Sequence, residues 1–179
     1  MIIYSARHAE TDTNKTPVIC GNNDSFSLNA KGINQSYRLA ESMIGKGVDL
    51  IVCSSMKRAI QTAKYVADRL GVEIVIDERL RERNHGIFEG KSQKDTEFLI
   101  AKSQFAMRME GGESIFDVVH RIYSAIDDIR EKYAGKTVII ISHGGTIGRV
   151  IESYFHDLSN NEFHDIFIKN CELRRYEIK

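Results

Sequence analysis

Residues 138–146 read Val-Ile-Ile-Ile-Ser-His-Gly-Gly-Thr, and this stretch decides how the fold is interpreted. Its first four residues are β-branched and apolar on both faces, as in a strand that is covered on both sides. Two glycines then end the strand, and apolar residues at helical spacing begin at Ile147. A buried strand that passes through a tight turn into a helix is typical of a parallel α/β sheet.

The same alternation extends along the rest of the chain. Short apolar runs predict four more strands, at 2–5, 50–53, 73–76 and 172–178. Amphipathic stretches predict helices at about 30–45, 56–70, 93–107 and 114–133. The apolar face of the first helix is assigned to Ile33, Tyr37, Ala40 and Ile44. Strands that alternate with helices predict an α/β fold, a three-layer α/β/α sandwich with a mainly parallel, mixed central sheet.

Composition narrows the class of protein. The 179 residues include 25 Lys and Arg against 25 Asp and Glu, so no bulk positive field favours nucleic acid or an anionic membrane. Charge appears as early as Arg7, no apolar run is long enough to span a bilayer, and the three cysteines are widely separated. We therefore expect one cytoplasmic domain over residues 1–179, without a disulfide framework and without a nucleic-acid or membrane partner.

Candidate chemistry lies where the predicted strands end. In an open α/β sheet, ligands bind beyond the carboxyl ends of the strands, at helix N-termini. By this rule, five candidate residues lie together at the carboxyl edge of the predicted sheet: Arg7, His8, Arg58, Glu82 and His143. Guanidinium groups suit a phosphate dianion, a neutral imidazole is a competent nucleophile, and a carboxyl group can protonate a leaving oxygen. The set therefore favours phosphoryl transfer.

Each of these residues also has an ordinary structural interpretation. His8 alone is typical of a hydrogen-bonded residue at a strand end, and Arg58 of a solvated charge on a helix. Glu82 lies among several arginines, where a surface ion-pair cluster is the usual outcome. Only their joint placement at strand ends indicates a site.

Five ordered blocks cover essentially the whole chain and carry a resemblance. They are Arg7–Asn14, Ser54–Ala63, Leu80–Gly90, Gly111–Ser114 and Ser142–Gly145. In this order they resemble the histidine phosphatase superfamily, in its phosphoglycerate mutase-like branch. Two positions depart from the family pattern, since Ala9 replaces a glycine and Ser55 replaces a proline.

The resemblance implies roles for individual residues. It implies that His8 is phosphorylated and that Glu82 donates a proton and then activates water. The phosphoryl oxygens would be held by Arg7, Arg58 and His143, with Asn14 assisting. It implies no metal, no nucleotide and no other cofactor. We interpret the Gly-Gly-Glu-Ser block at 111–114 as a turn and helix cap, with Ser114 and Asp117 forming a capping box.

Of the two activities that the resemblance implies, the sequence of this chain favours hydrolysis over transfer of the phosphoryl group to a second substrate. Only residues 91–110 separate Gly90 from Gly111, which predicts a short cap insertion and a phosphoenzyme open to water. The predicted function is therefore a metal-independent phosphatase that acts on small-molecule phosphate monoesters, and a phosphoglycerate mutase-type phosphotransferase is the alternative.

Two further alternatives remain open. The side chains of His8, Glu10, Asp12 and His143 could instead form the site of a metal-dependent hydrolase. The chain could also be a phosphate- or partner-binding module without catalysis. Neither the substrate nor the oligomeric state follows from the sequence.

The part of the site outside the phosphoryl group, the outer pocket, is predicted to contain lining residues and cations. The residues expected to line it are Asn84, His85 and Phe88. The cations expected to meet a second anionic group are Lys15, Lys102 and Arg108.

Overall fold

The structure is a computed structural model that describes residues 1–178, and these form five strands and six α-helices. The strands are β1 (Ile2–Arg7), β2 (Leu50–Ser54), β3 (Glu73–Asp77), β4 (Thr137–Ser142) and β5 (Leu173–Glu177). The helices are α1 (Ala30–Met43), α2 (Lys57–Leu70), α3 (Thr96–Ser103), α4 (Ile115–Lys132), α5 (Thr146–Phe155) and α6 (Asn160–Asp165). All five predicted strands are confirmed.

The sheet is mixed, with the strand order β3-β2-β4-β1-β5. β1 and β2 both run parallel to β4, and β3 runs parallel to β2. β5 pairs antiparallel with β1 at the edge. The central position of β4 explains why its sequence is apolar on both faces, because helices cover both sides of it.

Alternate residues of β4 divide the core into two halves. Ile139 and Ile141 pack with apolar residues of α1 and α2 on one face of the sheet. Val138 and Ile140 pack with α4 and α5 on the other. The predicted three-layer α/β/α sandwich is confirmed.

The predicted apolar face of α1 is wrong in part. Tyr37 is 54% exposed and Ile44 is 47% exposed, whereas the buried residues are Gly32, Ser36, Leu39, Ala40 and Met43. A pattern based on large apolar side chains misses Gly32, which lies against the backbone of Glu10, and Ser36, whose hydroxyl donates to the Gly32 carbonyl oxygen. Tyr37 lies instead against Tyr65 of α2, with 4.7 Å between ring centroids.

Two other helices differ from the prediction. α3 is shorter than the predicted 93–107, because Asp95 accepts a hydrogen bond from the Phe98 amide and begins the helix at Thr96. α6 was not predicted, although Ser159 and Glu162 form a capping box at its start. Among the helices of residues 1–178, none has the combination of length and apolar composition needed to cross a bilayer.

The start of α1 fixes the loop that follows β1. The Asn29 amide donates to the carbonyl oxygen of Glu10 over 3.1 Å, and the Glu10 amide donates to Oε1 of Gln35 over 2.8 Å. Gly32 lies directly against the same peptide, where a Cβ would be only 2.1 Å from the Glu10 oxygen. The helix therefore packs without a side chain against a loop that begins at His8.

We expect Gly32→Ala to destabilise the protein by about 1–3 kcal/mol, because the added methyl must displace backbone atoms of Glu10. Urea unfolding measures the loss. Asn34→Ala, at an exposed position of the same helix, is the control and should change stability by less than about 0.5 kcal/mol. An unchanged midpoint for Gly32→Ala would contradict this close packing.

Candidate active site

A cavity of about 450 Å³ lies at the carboxyl ends of β1, β2 and β4. Its volume is in the range of small-molecule sites. The six residues predicted for the site all line it: Arg7, His8, Asn14, Arg58, Glu82 and His143. Strand ends far apart in the sequence are thus brought to one mouth.

His8 is held as a neutral imidazole with a defined tautomer. Its Nδ1 lies 2.7 Å from the carbonyl oxygen of Ala9, which can only accept, so Nδ1 carries the proton. Nε2 accepts a hydrogen bond from Nε of Arg58 over 3.2 Å. Burial, together with the positive charges of Arg58 and Arg7, holds the pKa of His8 well below its ordinary value of 6.5. The result is an unprotonated Nε2 inside the cavity.

Ala9 fits where the family pattern has a glycine. It is fully buried, and its amide donates to Oγ1 of Thr62 over 3.0 Å. Within residues 1–178, Cys171 is the only non-glycine residue with a positive φ. The position after His8 therefore does not require a left-handed backbone here.

Arg58 lies in the first turn of α2 and is only 4% exposed. Its Nη1 donates to the carbonyl oxygen of Asn23 and its Nη2 donates to that of Gly21, over 2.9 and 3.1 Å. Burial lowers the pKa of Arg58, partly opposed by the nearby charge of Glu82. The guanidinium is fixed by the 21–23 loop on one side and by His8 on the other.

Three nitrogens of cavity-lining side chains are buried and have no hydrogen-bond partner within the described residues. They are Nε of Arg7 and Nδ1 of His143, next to His8, and Nδ1 of His85. Of the remaining nitrogens, Nη1 of Arg7 donates to the carbonyl oxygen of Ile168, and Nε2 of His143 lies 2.9 Å from Oγ of Ser54. Buried polar atoms nearly always have partners, so the nitrogens of Arg7 and His143 are candidates for contact with a bound ligand.

Glu82 is nearly buried beside the start of α5. Its Oε1 accepts from the Arg83 amide over 2.8 Å, and its Oε2 accepts from the Gly145 amide over 3.0 Å. A Cβ at Gly145 would lie 2.6 Å from Oε2, and a Cβ at Gly144 would lie 2.3 Å from Cδ of Arg7. The two glycines after His143 are thus explained by the close approach of Arg7 and Glu82.

Glu113 and Arg121 hold the segment that carries Glu82, a role that the sequence did not reveal. Nε of Arg121 donates to Oε1 of Glu113 over 2.8 Å, and its Nη1 donates to the carbonyl oxygen of Arg81 over 2.7 Å. Oε2 of Glu113 accepts from the Asn84 amide over 2.9 Å. The predicted helix cap is also confirmed, since Ser114 begins α4 through a capping box. The Gly-Gly-Glu-Ser block therefore does more than end a turn.

Asn14 and Asn170 form one edge of the cavity. Oδ1 of Asn14 accepts from the Thr11 amide over 3.0 Å and from Nδ2 of Asn170 over 3.2 Å. Nδ2 of Asn170 also donates to the carbonyl oxygen of His8 over 2.9 Å. Asn170 lies in the loop before β5, where no motif of the sequence pointed to it.

The outer pocket differs from the prediction. His85 and Lys102 line the cavity, but Asn84 and Phe88 do not. The two other predicted cations are engaged elsewhere. Lys15 lies 3.2 Å from a carboxylate oxygen of Glu10, and Arg108 forms a salt bridge with Asp117.

The carboxylates of the alternative metal site have other partners. Glu10 binds Lys31 at 2.7 Å, and this hydrogen bond is the main cause that lowers the pKa of Glu10 to about 2. Asp12 accepts from Nδ2 of Asn29 over 3.1 Å. Within residues 1–178, no three or more His, Cys, Asp or Glu side chains form a group suited to a metal ion.

The buried imidazoles predict how stability depends on pH. Burial also holds the pKa of His143 well below 6.5, with contributions from the charges of Arg58 and Arg7. The unfolded chain takes up protons near pH 6.5 and the folded site does not, so acid favours unfolding. The free energy of unfolding should fall below that pH by up to about 1.4 kcal/mol per pH unit for each imidazole.

Urea unfolding between about pH 7.5 and pH 5 measures this dependence. A His8→Gln, His143→Gln variant should show a shallower loss than the wild type. His120→Gln changes an exposed residue of α4 and should leave the slope unchanged. Parallel pH profiles for all three proteins would show that the buried imidazoles do not cause the loss.

Comparisons with known proteins agree with this architecture. The model of the histidine phosphatase superfamily (branch 1) matches residues 3–179. A probable phosphoglycerate mutase GpmB of Yersinia pestis (strain Pestoides F) is 30% identical over 98% of this chain and 84% of its own length.

Solved structures are similar over nearly the whole chain. YhfR of Bacillus stearothermophilus is 27% identical with a TM-score of 0.88, covering 99% of this chain and 91% of that one. A mycobacterial glucosyl-3-phosphoglycerate phosphatase is 22% identical with a TM-score of 0.85, covering 97% of this chain and 88% of that one. The latter likeness concerns the fold.

Proposed function

Since the chain belongs to the histidine phosphatase superfamily (branch 1), we propose that it is a metal-independent phosphatase acting on small-molecule phosphate monoesters. The observation that carries the proposal is the neutral His8 beside two buried nitrogens without partners, Nε of Arg7 and Nδ1 of His143. A nucleophile and unused donors on one wall are what phosphoryl transfer requires.

In the first half-reaction, Nε2 of His8 attacks phosphorus while the bond from phosphorus to the ester oxygen breaks. Glu82 in its protonated form gives its proton to the leaving oxygen, which departs as an alcohol. The Ala9 carbonyl accepts from Nδ1 and stabilises the positive charge that develops on the ring. Guanidinium groups of Arg7 and Arg58 stabilise the charge on the transferred oxygens.

In the second half-reaction, water attacks the phosphohistidine. The carboxylate of Glu82 accepts the proton of the water as the new bond from oxygen to phosphorus forms and the bond from phosphorus to Nε2 breaks. Inorganic phosphate leaves, and His8 and protonated Glu82 are restored. No other reactant is needed.

A mutase is the second candidate, because the Yersinia relative is named a probable phosphoglycerate mutase. Both activities share the phosphohistidine, and they differ in whether water or a second hydroxyl takes the phosphoryl group. The short segment 91–110 favours water, since it contributes only the eight residues of α3 as a helical cover.

The proposed mechanism predicts a covalent intermediate on His8. Rapid quenching of wild type with a ³²P-labelled monoester, in the presence of chelator, should trap an acid-labile, base-stable adduct. His8→Ala should form no adduct and hydrolyse no ester, whereas the exposed-residue control His120→Ala should behave as wild type. A protein that binds phosphate esters but never becomes labelled is a binding module and not this enzyme.

The fate of the label separates the two candidate activities. A phosphatase releases it as inorganic phosphate even when glycerate or a sugar is present in excess. Preferential return of the label to such an acceptor would replace the phosphatase with the mutase.

The proposed mechanism also predicts a dependence on the leaving group. Glu82→Gln should lower kcat/KM for an alkyl phosphate by about 10²–10⁴-fold, because the alkoxide then leaves without a proton. The leaving group of an aryl phosphate is a stable phenolate that needs no proton, so the transfer of its phosphoryl group to His8 should be affected much less. Hydrolysis of the phosphohistidine still lacks its base, so the phosphoenzyme should accumulate. Glu97→Gln, on the exposed side of α3, is the control. Equal losses for both esters would mean that Glu82 is not the proton donor.

A further inference from the structure

The cavity extends well beyond the residues placed around the phosphoryl group. Its outer part is lined by His85, Phe98, Lys102, Arg149, Phe163 and Phe167. This part combines an apolar wall with two cations, and the proposed reaction uses neither cation.

Arg149 presents a guanidinium that is held in place but not neutralised. Its Nε donates to the carbonyl oxygen of Ile166 over 3.1 Å. Burial lowers its pKa, and the charges of Glu82 and Asp165 oppose that shift from a distance. Arg149 forms no salt bridge with any carboxylate of residues 1–178, so its Nη groups have no counterion there.

Lys102 brings a second positive charge to the same part of the cavity. It lies in the last turn of α3, with its Nζ 5.5 Å from the ring centroid of Phe98. Nη1 of the buried Arg83 donates to the Lys102 carbonyl oxygen over 3.4 Å, which ties this end of α3 to the segment carrying Glu82. Burial and then the charge of Arg149 lower the pKa of Lys102. Within the described residues it has no carboxylate partner either.

Arg149 is half-buried and Lys102 is exposed, and their positive charges disfavour each other. Each costs free energy on the wall of a partly desolvated cavity, and an anion bound to both would offset that cost. The Ile166 carbonyl oxygen positions Arg149 and the Phe98 ring positions Lys102 for such a ligand. The outer part of the cavity is therefore suited to a second negative group.

His85 is a third polar side chain that lines this outer part of the cavity. Burial lowers its pKa to about 4, so the ring is neutral, and its Nδ1 is buried without a partner in residues 1–178. Its ring packs edge-on against Phe98 at 5.2 Å.

We propose that Lys102 and Arg149 form an anion subsite, and that the enzyme acts on monoesters carrying a second anionic group, a carboxylate or another phosphate. This proposal rests on the proposed function, because it places the scissile phosphoryl group at His8. The subsite would select the group esterified to the phosphate, which the chemistry at His8 does not specify.

A matched pair of esters tests the subsite. 3-Phosphoglycerate and glycerol 3-phosphate share a phosphorylated three-carbon skeleton and differ by a carboxylate in place of a hydroxymethyl group. Wild type should show a kcat/KM for phosphate release about tenfold or more in favour of the carboxylate ester. Arg149→Met and Lys102→Met should each remove most of this preference while changing kcat/KM for glycerol 3-phosphate by less than about twofold.

Three further variants make the result specific. Arg149→Lys keeps the charge and should retain part of the preference. Arg38→Met and Lys94→Met remove exposed charges outside the cavity and should retain all of it. Equal wild-type kcat/KM values for the two esters, or turnover of neither while an aryl phosphate is hydrolysed, would overturn the subsite.

Binding measurements test the anion subsite independently of the proposed phosphatase activity. Calorimetry on His8→Ala compares the affinities of the same two esters without turnover. If wild type hydrolyses no monoester but His8→Ala still prefers the carboxylate ester, the subsite stands and the proposed function fails. If hydrolysis is seen and the affinities are equal in His8→Ala, the function stands and the subsite fails.

Discussion

The hydrogen bond from the His8 amide to the carbonyl oxygen of Ser142, 2.8 Å long, continues the β1–β4 ladder one residue past the strand. Parallel pairing in this register places Arg7 opposite Ser142, so the next residues, His8 and His143, leave the sheet side by side. Their ring centroids are 5.3 Å apart. The candidate site depends on this one extension of the sheet, because the remaining groups are arranged around the two imidazoles.

Glycines that lack a side chain let neighbouring segments approach closely around the site. Glycines 144 and 145 leave room for Arg7 and for the carboxylate of Glu82, and Gly32 lets α1 press on the peptide that follows Ala9. Glu113 and Arg121 supply the other half of the support by binding the backbone on both sides of Glu82. A carboxyl group whose oxygens accept from two different segments has little freedom to move, which is the condition that a proton donor needs.

Much of this could be predicted from the sequence because the information is local. Every strand was recognised from its apolar run, and the five residues that the strand-end rule collected all line the cavity. What escaped was set by tertiary contacts. The buried face of α1 depends on small residues that apolar periodicity does not count, and Asn170 reaches the site from a loop without a motif. Lys102 was among the cations predicted to meet a second anionic group, but Arg149 was not, because only the fold places it at the same cavity.

The hydrogen bonds of Arg58 have a consequence for the phosphorylated protein. Its N–H groups already contact the carbonyls of Gly21 and Asn23, the sulfur of Met56 and Nε2 of His8. A guanidinium has five such groups, so little capacity remains for a ligand. Once Nε2 bonds to phosphorus, however, its lone pair no longer accepts, and the N–H that had aimed the ring is released toward the incoming oxygens. One hydrogen atom would therefore serve the nucleophile before transfer and the phosphoryl group after it.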